Sequence, residues 1–343
     1  LPGGLTGFQT DMYIHLINWK WKNITRTPGI YKKKNKNGVI VTYEYDAILP
    51  ESTDDSFPLL YPTILADLRL HQEIFSFKFH EHFNHMASSQ AANINLFLPL
   101  LLHSNANDIF RRLKPDLKTI ATNELYKGFR VEYWDGNSNS EKGLLKDHSA
   151  ISGTDADIAI AYINHADELC LWLIEHKLTE KEFTTCGGAK SKGKKTFHDC
   201  TKSFGEILNN KDYCYYHSGK NYEYWNVTAE NQTFFSGVKE FDTCPFRDGI
   251  NQLWRNQLLG LAIEKQGKFK NVSFSVVKHP GNFALDTSLE KYKILIGNSS
   301  KLSAFNTNEI VSSALALNEP SLKEWAAWYT DLYQVNEILP ATS

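Results

Sequence analysis

Two apolar runs, TDADIAIAYI (154–163) and ELCLWLIEHK (168–177), stand four residues apart, joined only by Asn164, His165, Ala166 and Asp167. A link of that length lets two strands pair as an antiparallel hairpin and in no parallel arrangement. The strand interiors, Ile158 to Ala161 and Leu169 to Ile174, carry no charge. Both faces of the pair therefore need cover from other layers, and the hairpin becomes the middle of a sheet buried on two sides.

The rest of the chain offers that cover. Helical patterning runs from Ile64 to about Leu102, through LADLRLHQEIFSFKFHEHFNHM and then SSQAANINLFLPLLL, where Ser88 or Ser89 is a natural N-cap; a further turn follows at DIFRRL. GFRVEYWD (128–135) reads as another strand, GINQLWRNQLLGLAIEK as an amphipathic helix, NVSFSVVKHP as a strand, and SLKEWAAWYTDLYQVNEIL as a closing aromatic helix. The order helix, strand, strand, strand, insertion, helix, strand predicts a mixed α/β (α+β) core, a central mixed sheet flanked by helices. The expected divisions are a strand-rich accessory layer over 1–63, a core over 64–300 interrupted by a Cys/Tyr-rich insertion at 184–243, and a helical tail over 301–343.

Composition excludes little but agrees. The 343 residues are 42% hydrophobic and 22% charged, with a net charge of −2, which argues against wholesale coating of nucleic acid. No apolar run approaches the length of a membrane span and no secretion signal is visible, so a cytoplasmic protein without a membrane partner is expected. The five cysteines include no CxxC pair and read as reduced thiols.

The charged residues that close the second run are harder to explain as packing. In a strand Glu175 and Lys177 share one face while His176 takes the other, so a carboxylate and an ammonium meet at the mouth of a core. Asp157 opens the first run and shares its face with Ala159 and Ala161, whose small side chains leave room. Pairing of the runs brings Asp157 towards Glu175 and Lys177. Two carboxylates suit Mg²⁺, with Mn²⁺ as its substitute, and an adjacent lysine suits a phosphodiester, whose attacking water and developing charge it can hold. A strand-end lysine packs little, so its removal is expected to affect chemistry and not stability.

TDAD followed by IEHK resembles the PD-(D/E)xK nuclease superfamily. The pieces SSQAANINLF, FRVEYW and CPFRDGINQLWRNQLL resemble bacterial restriction endonucleases within it, so that the similarity spans roughly residues 85 to 280. The resemblance implies a restriction-endonuclease-like fold with Asp157, Glu175 and Lys177 as the catalytic set and Asp157 and Glu175 as metal ligands. It implies a Mg²⁺-dependent DNA endonuclease of restriction or phage-defence type, acting on DNA and, for two-strand cleavage, as a homodimer. A repair nuclease acting on ends and an inactive nucleic-acid-binding module are the alternatives. Ala156 stands where the pattern has Pro, and Asp155 lies on the same face as Asp157, leaving two candidate aspartates. SSQAANINLF offers Gln90 and Asn93 where the superfamily often has an acid, which makes Glu132 of FRVEYW the substitute ligand candidate, the alternative being a solvated strand residue. Gln252, Arg255 and Asn256, on the helix that follows, are the expected substrate contacts.

Two further features stand apart. Lys20, Lys22, Arg26, Lys32, Lys33, Lys34 and Lys36 form a basic arm interleaved with Trp19, Trp21 and Tyr31, either a phosphate contact or a solvated lysine-rich turn. Cys186, Cys200, Cys214 and Cys244 fall in or beside the insertion, with His198 and His217 nearby. They are candidates for a structural zinc or an iron–sulfur cluster, although zinc-knuckle spacing is missing.

Overall fold

A computed structural model describes residues 3–5, 7–35, 37–51, 57–134, 141–149, 152–191 and 200–335. The chain opens on a helix, α1 (Gly7–Asn23), followed by a hairpin of β1 (Gly29–Lys34) and β2 (Ile40–Tyr45). The strand-rich reading of this region is thus corrected for its first part. Met12, Leu16, Trp19 and Lys20 are buried along one side of α1, a helical stripe that aromatic and β-branched neighbours obscure in the sequence. Helix α2 (Leu65–Phe75) ends when Ser76 turns left-handed at φ 52°, its N–H returning to Gln72 O. The expected helix does not continue through SFKFHEHFNHM. There Phe77, Phe79 and Phe83 pack on one another, with ring centroids 4.2 to 5.6 Å apart from Phe79.

Helix α3 (Ser89–Leu101) starts as expected: the Ser88 hydroxyl accepts from Ala91 N at 3.3 Å. Then come α4 (Ala106–Arg111), β3 (Leu117–Ile120), β4 (Phe129–Tyr133), β5 (Ala156–Asn164) and β6 (Leu169–Lys177). The insertion holds short helices α5 (Phe204–Asn209), α6 (Tyr215–Ser218) and α7 (Tyr224–Glu230). After it follow α8 (Asn251–Lys265), β7 (Asn271–Lys278), α9 (Asp286–Leu295), β8 (Leu302–Asn306), α10 (Thr307–Leu315) and α11 (Pro320–Tyr333).

The hairpin is the middle of a six-stranded mixed sheet ordered β3-β5-β6-β7-β8, with β4 also on β5. β5 and β6 pair antiparallel from Ile163 opposite Leu169 to Ile158 opposite Ile174. β6, β7 and β8 run parallel, which requires the crossovers through α8 and α9. β3 and β8 are absent from the sequence reading. Each is short and half-covered, and β8 sits inside the segment expected to be helical, where only its pairing with β7 distinguishes it.

Alternation sends side chains to two cores. Ile158, Ile160, Trp172 and Ile174 join residues of α1, α3, α4, α10 and α11, while Ala159, Ala161, Leu171 and Leu173 join α8, α9 and the insertion. The insertion is no polar appendage: Phe204, Trp225 and Phe235 are buried, and Phe246 stacks on Trp254 of α8 at 4.0 Å between ring centroids. Fully burying each such ring contributes roughly 1.5–3 kcal/mol, which holds this layer against the sheet.

Candidate active site

Asp157, Glu175 and Lys177 gather on the face covered by α8, because the hairpin register carries both strands to the same end. β5–β6 pairing stops at Ile158 and Ile174, and the next free amide of β6, His176 N, donates to Asp157 Oδ2 at 2.7 Å. The aspartate thus extends the ladder by a side chain. Lys177 Nζ donates to Glu175 Oε1 at 2.7 Å, with both side chains nearly inaccessible. From α8, Gln252 Nε2 donates to Glu175 Oε1 and Asn256 Nδ2 to Glu175 Oε2, each at 2.7 Å. Three donors therefore fix one carboxylate.

The charges in this recess do not cancel. Burial pushes the Asp157 carboxyl well above its ordinary value, and the nearby carboxylates of Glu175 and Glu132 push it further, against a smaller pull from Lys177. Glu175 is also raised by burial, although Lys177 and Asn256 hold its anion. Burial opposes the charge on Lys177, yet Glu175, Glu180 and Asp157 together raise its pKa.

Glu132 completes the acidic side. Val131 pairs with Ile158 and Tyr133 with Ala156, which leaves Glu132 opposite Asp157. Its φ of 52° is left-handed, a conformation that costs about 1–3 kcal/mol in a non-glycine residue and tends to persist where the surroundings enforce it. Gln90 Nε2 donates to Glu132 Oε1 at 2.7 Å, and His80 Nε2 stands 3.8 Å from Glu132 Oε2. The neighbouring Glu132 carboxylate raises the His80 pKa. Asn93 Nδ2 donates to Asp157 O at 3.1 Å. The helix α3 therefore supplies amides where an acid was sought, and they position the two acids.

Asp155 lies elsewhere. It meets His148 Nε2 at 2.8 Å, and the His148 ring stacks on Trp134 with centroids 3.9 Å apart. Asp155, His148, Trp134, Glu132 and His80 line a cavity of about 700 Å³. A second, of about 590 Å³, shares His80 and continues past His82, His85, Tyr31 and Lys33 of the β1–β2 hairpin. Arg255 diverges from its two helix neighbours: its Nη1 donates to Gly153 O at 3.2 Å, steadying the approach to β5. Among the described residues, no group of three His, Cys, Asp or Glu side chains stands ready to hold a metal ion.

Two residues near the site escaped sequence reasoning. Glu180 accepts from the N–H groups of Leu178 at 2.8 Å and Thr179 at 3.0 Å. Burial opposes its charge, but Lys177 and Ser89 outweigh that and hold its pKa down. Lys278 lies beside Lys177 in the parallel register and ties to Asp286 at 3.1 Å. A strand-end lysine repeated on adjacent parallel strands was the available signal.

The basic arm divides. Lys20 is fully buried, donating to Thr27 O at 2.7 Å and Asp46 O at 3.0 Å, so it is a structural residue and cannot meet phosphate. Lys22, Arg26, Lys32, Lys33 and Lys34 are exposed; Lys36 lies outside the described residues, as does His198. None of the five cysteines forms a disulfide.

The family model described as Restriction Endonuclease associating with ARP matches residues 25–334 of the chain. No match was found among curated proteins or among solved structures.

Proposed function

The chain belongs to this restriction endonuclease family, a nuclease-type assignment, and from that premise we propose that it hydrolyses DNA phosphodiester bonds internally, with a divalent metal ion bound between Asp157 and Glu175. The observation that carries the reading is the convergence of Asp157, Glu175 and Lys177 at the end of one antiparallel strand pair. The carboxylates fit such an ion by their charge: Asp157 and Glu175 repel one another, with Glu132 adding to the repulsion, and a cation shared between them removes that cost. Bound there, Mg²⁺ would supply an activated water and a counter-charge to the leaving oxygen.

The chain's own residues supply the rest. Gln252 and Asn256 hold both oxygens of Glu175, so that its position survives the arrival of substrate. Lys177, kept charged by the acids around it, places an ammonium where the attacked phosphate gains negative charge. His176 N anchors Asp157 by one oxygen. Two cavities share His80 as a lining residue, one reaching Glu132 and the other Lys33 of the β1–β2 hairpin, an arrangement that suits a DNA backbone.

Covalently closed circular DNA incubated with Mg²⁺ tests the proposal. Nicked or linear product that disappears with chelator and in Glu175→Gln is the expected result. Cleavage of linear DNA alone, from its ends, would overturn internal cutting; full activity in chelator would overturn the metal.

A further inference from the structure

Three parts of the chain send flat rings into the wall of the second cavity: Tyr31 and Tyr45 from the β1–β2 hairpin, His82 and His85 from the segment between α2 and α3, and Tyr13 from α1. Between ring centroids Tyr31 lies 5.7 Å from His82 and 6.0 Å from Tyr45, and Tyr13 lies 5.5 Å from His85. Rings at that spacing brace one another, yet about 590 Å³ stays open between them. Backbone pairing fixes the wall: Met86 N donates to Ala47 O at 2.8 Å and Leu49 N to Asn84 O at 3.0 Å, so the histidine-bearing segment is laced to the exit of the hairpin. A ligand there meets a surface already built.

The charge of this wall is one-sided. Among the described residues no carboxylate lines the cavity, whereas Lys33 does, with Lys32 and Lys34 exposed on the same hairpin. Stacking faces beside positive charge suit a nucleotide strand, whose bases take the rings and whose phosphates take the ammonium. A neutral apolar ligand would leave the lysine unused, and inorganic phosphate would leave the rings unused. Size narrows the occupant further, because pockets of roughly 300–1,000 Å³ take one ligand of drug size, which a nucleotide matches and a duplex exceeds. Paired bases keep their faces inside the helical stack, so the bases that can lie on these rings are unpaired ones.

We propose that this cavity holds unpaired nucleotides of the DNA substrate, with bases against Tyr31 and His82 and phosphates towards Lys33. The inference rests on the nuclease reading above and adds to it the class of substrate: DNA with a single-stranded stretch beside the proposed acids. His80 supplies the link. It lines both this cavity and the one that reaches Glu132, and its Nε2 stands 3.8 Å from the Glu132 carboxylate.

The test reads binding by the full chain carrying Glu175→Gln, in chelator, so that no cleavage intervenes. A single-stranded DNA substituted with iodouracil, which crosslinks under light to the ring it stacks on, is expected to attach to Tyr31, Tyr45 or His82; the same strand fully paired is not. Tyr31→Ala should weaken single-strand binding roughly tenfold and leave duplex binding within about twofold, while Tyr31→Phe, which keeps the ring face, should bind like the parent. His82→Ala, at an exposed position, repeats the comparison without touching the hairpin. Equal losses for single strand and duplex, or crosslinks confined to other residues, overturn the proposal. Failure of the nuclease reading shows separately, as circular DNA that the parent chain leaves intact in Mg²⁺.

Discussion

Lys177 stands among three carboxylates, Glu175, Glu180 and Asp157, with little access to water. The expectation that a strand-end lysine packs little therefore fails, since removal leaves buried anions unpaired. Lys177→Ala should abolish cleavage and also destabilise the fold by about 3 kcal/mol, lowering the melting temperature by several degrees. Thermal denaturation of the variant checks this, and an unchanged melting temperature would contradict it. Asp157 predicts the opposite sign. Its folded pKa lies above the ordinary value, so the folded state binds the extra proton. The stability that this contributes is present below the ordinary carboxylate range and is lost as pH rises through the raised value. Asp157→Asn should be inactive in Mg²⁺, and in chelator as stable as the parent or more so near neutral pH, lacking this part of the decline with pH. Melting curves at several pH values, in chelator, measure the difference. A variant that tracks the parent at every pH would refute the crowding of Asp157, Glu175 and Glu132.

At the scale of elements, α8 and the β1–β2 hairpin present their polar side chains differently. Helix α8 holds Glu175 through Gln252 and Asn256 and the β5 approach through Arg255, so its polar residues are committed within the protein. The hairpin presents exposed cations: Lys32, Lys33 and Lys34 are exposed, Lys32 pairs with Glu51 at 3.5 Å, and Lys33 lines the second cavity. Reversal of these three to Glu should weaken DNA binding and reduce the slope of log affinity against log salt by about 3. Cleavage positions should not move, because backbone contacts carry no sequence information. A titration across salt concentrations decides it; identical slopes would place the DNA elsewhere. Lys20, on the preceding helix, should be spared in such a design, since its ammonium caps backbone carbonyls inside the fold.

Across the whole molecule, one chain brings together one Asp157–Glu175–Lys177 set, and on the proposed function one set would cut one strand. Two-strand cleavage then needs two copies or two visits. Nicked circles should precede linear product at low protein concentration, and the nicked stage should shorten as concentration rises if the chain pairs. Sedimentation with and without DNA reads the pairing directly. The hairpin at the centre was legible because its information is local: four residues separate two apolar runs, and alternation puts Glu175 and Lys177 on one face, which the hairpin register then shares with Asp157. The helices α3, α8 and α11 were legible for the same reason, through their periodicity and, for α3, its cap. Contacts between distant segments were not. That Glu132 comes opposite Asp157 depends on a strand register and a left-handed backbone. The buried state of Lys20 and the strand identity of β8 each depend on a partner many residues away. A side chain's chemistry is written at its own position, but its solvent exposure and the charges around it are set by whatever the folded chain packs there. Sequence alone determined which residues could do chemistry and which neighbours shared their face; the tertiary structure decided which of them are buried, held and charged.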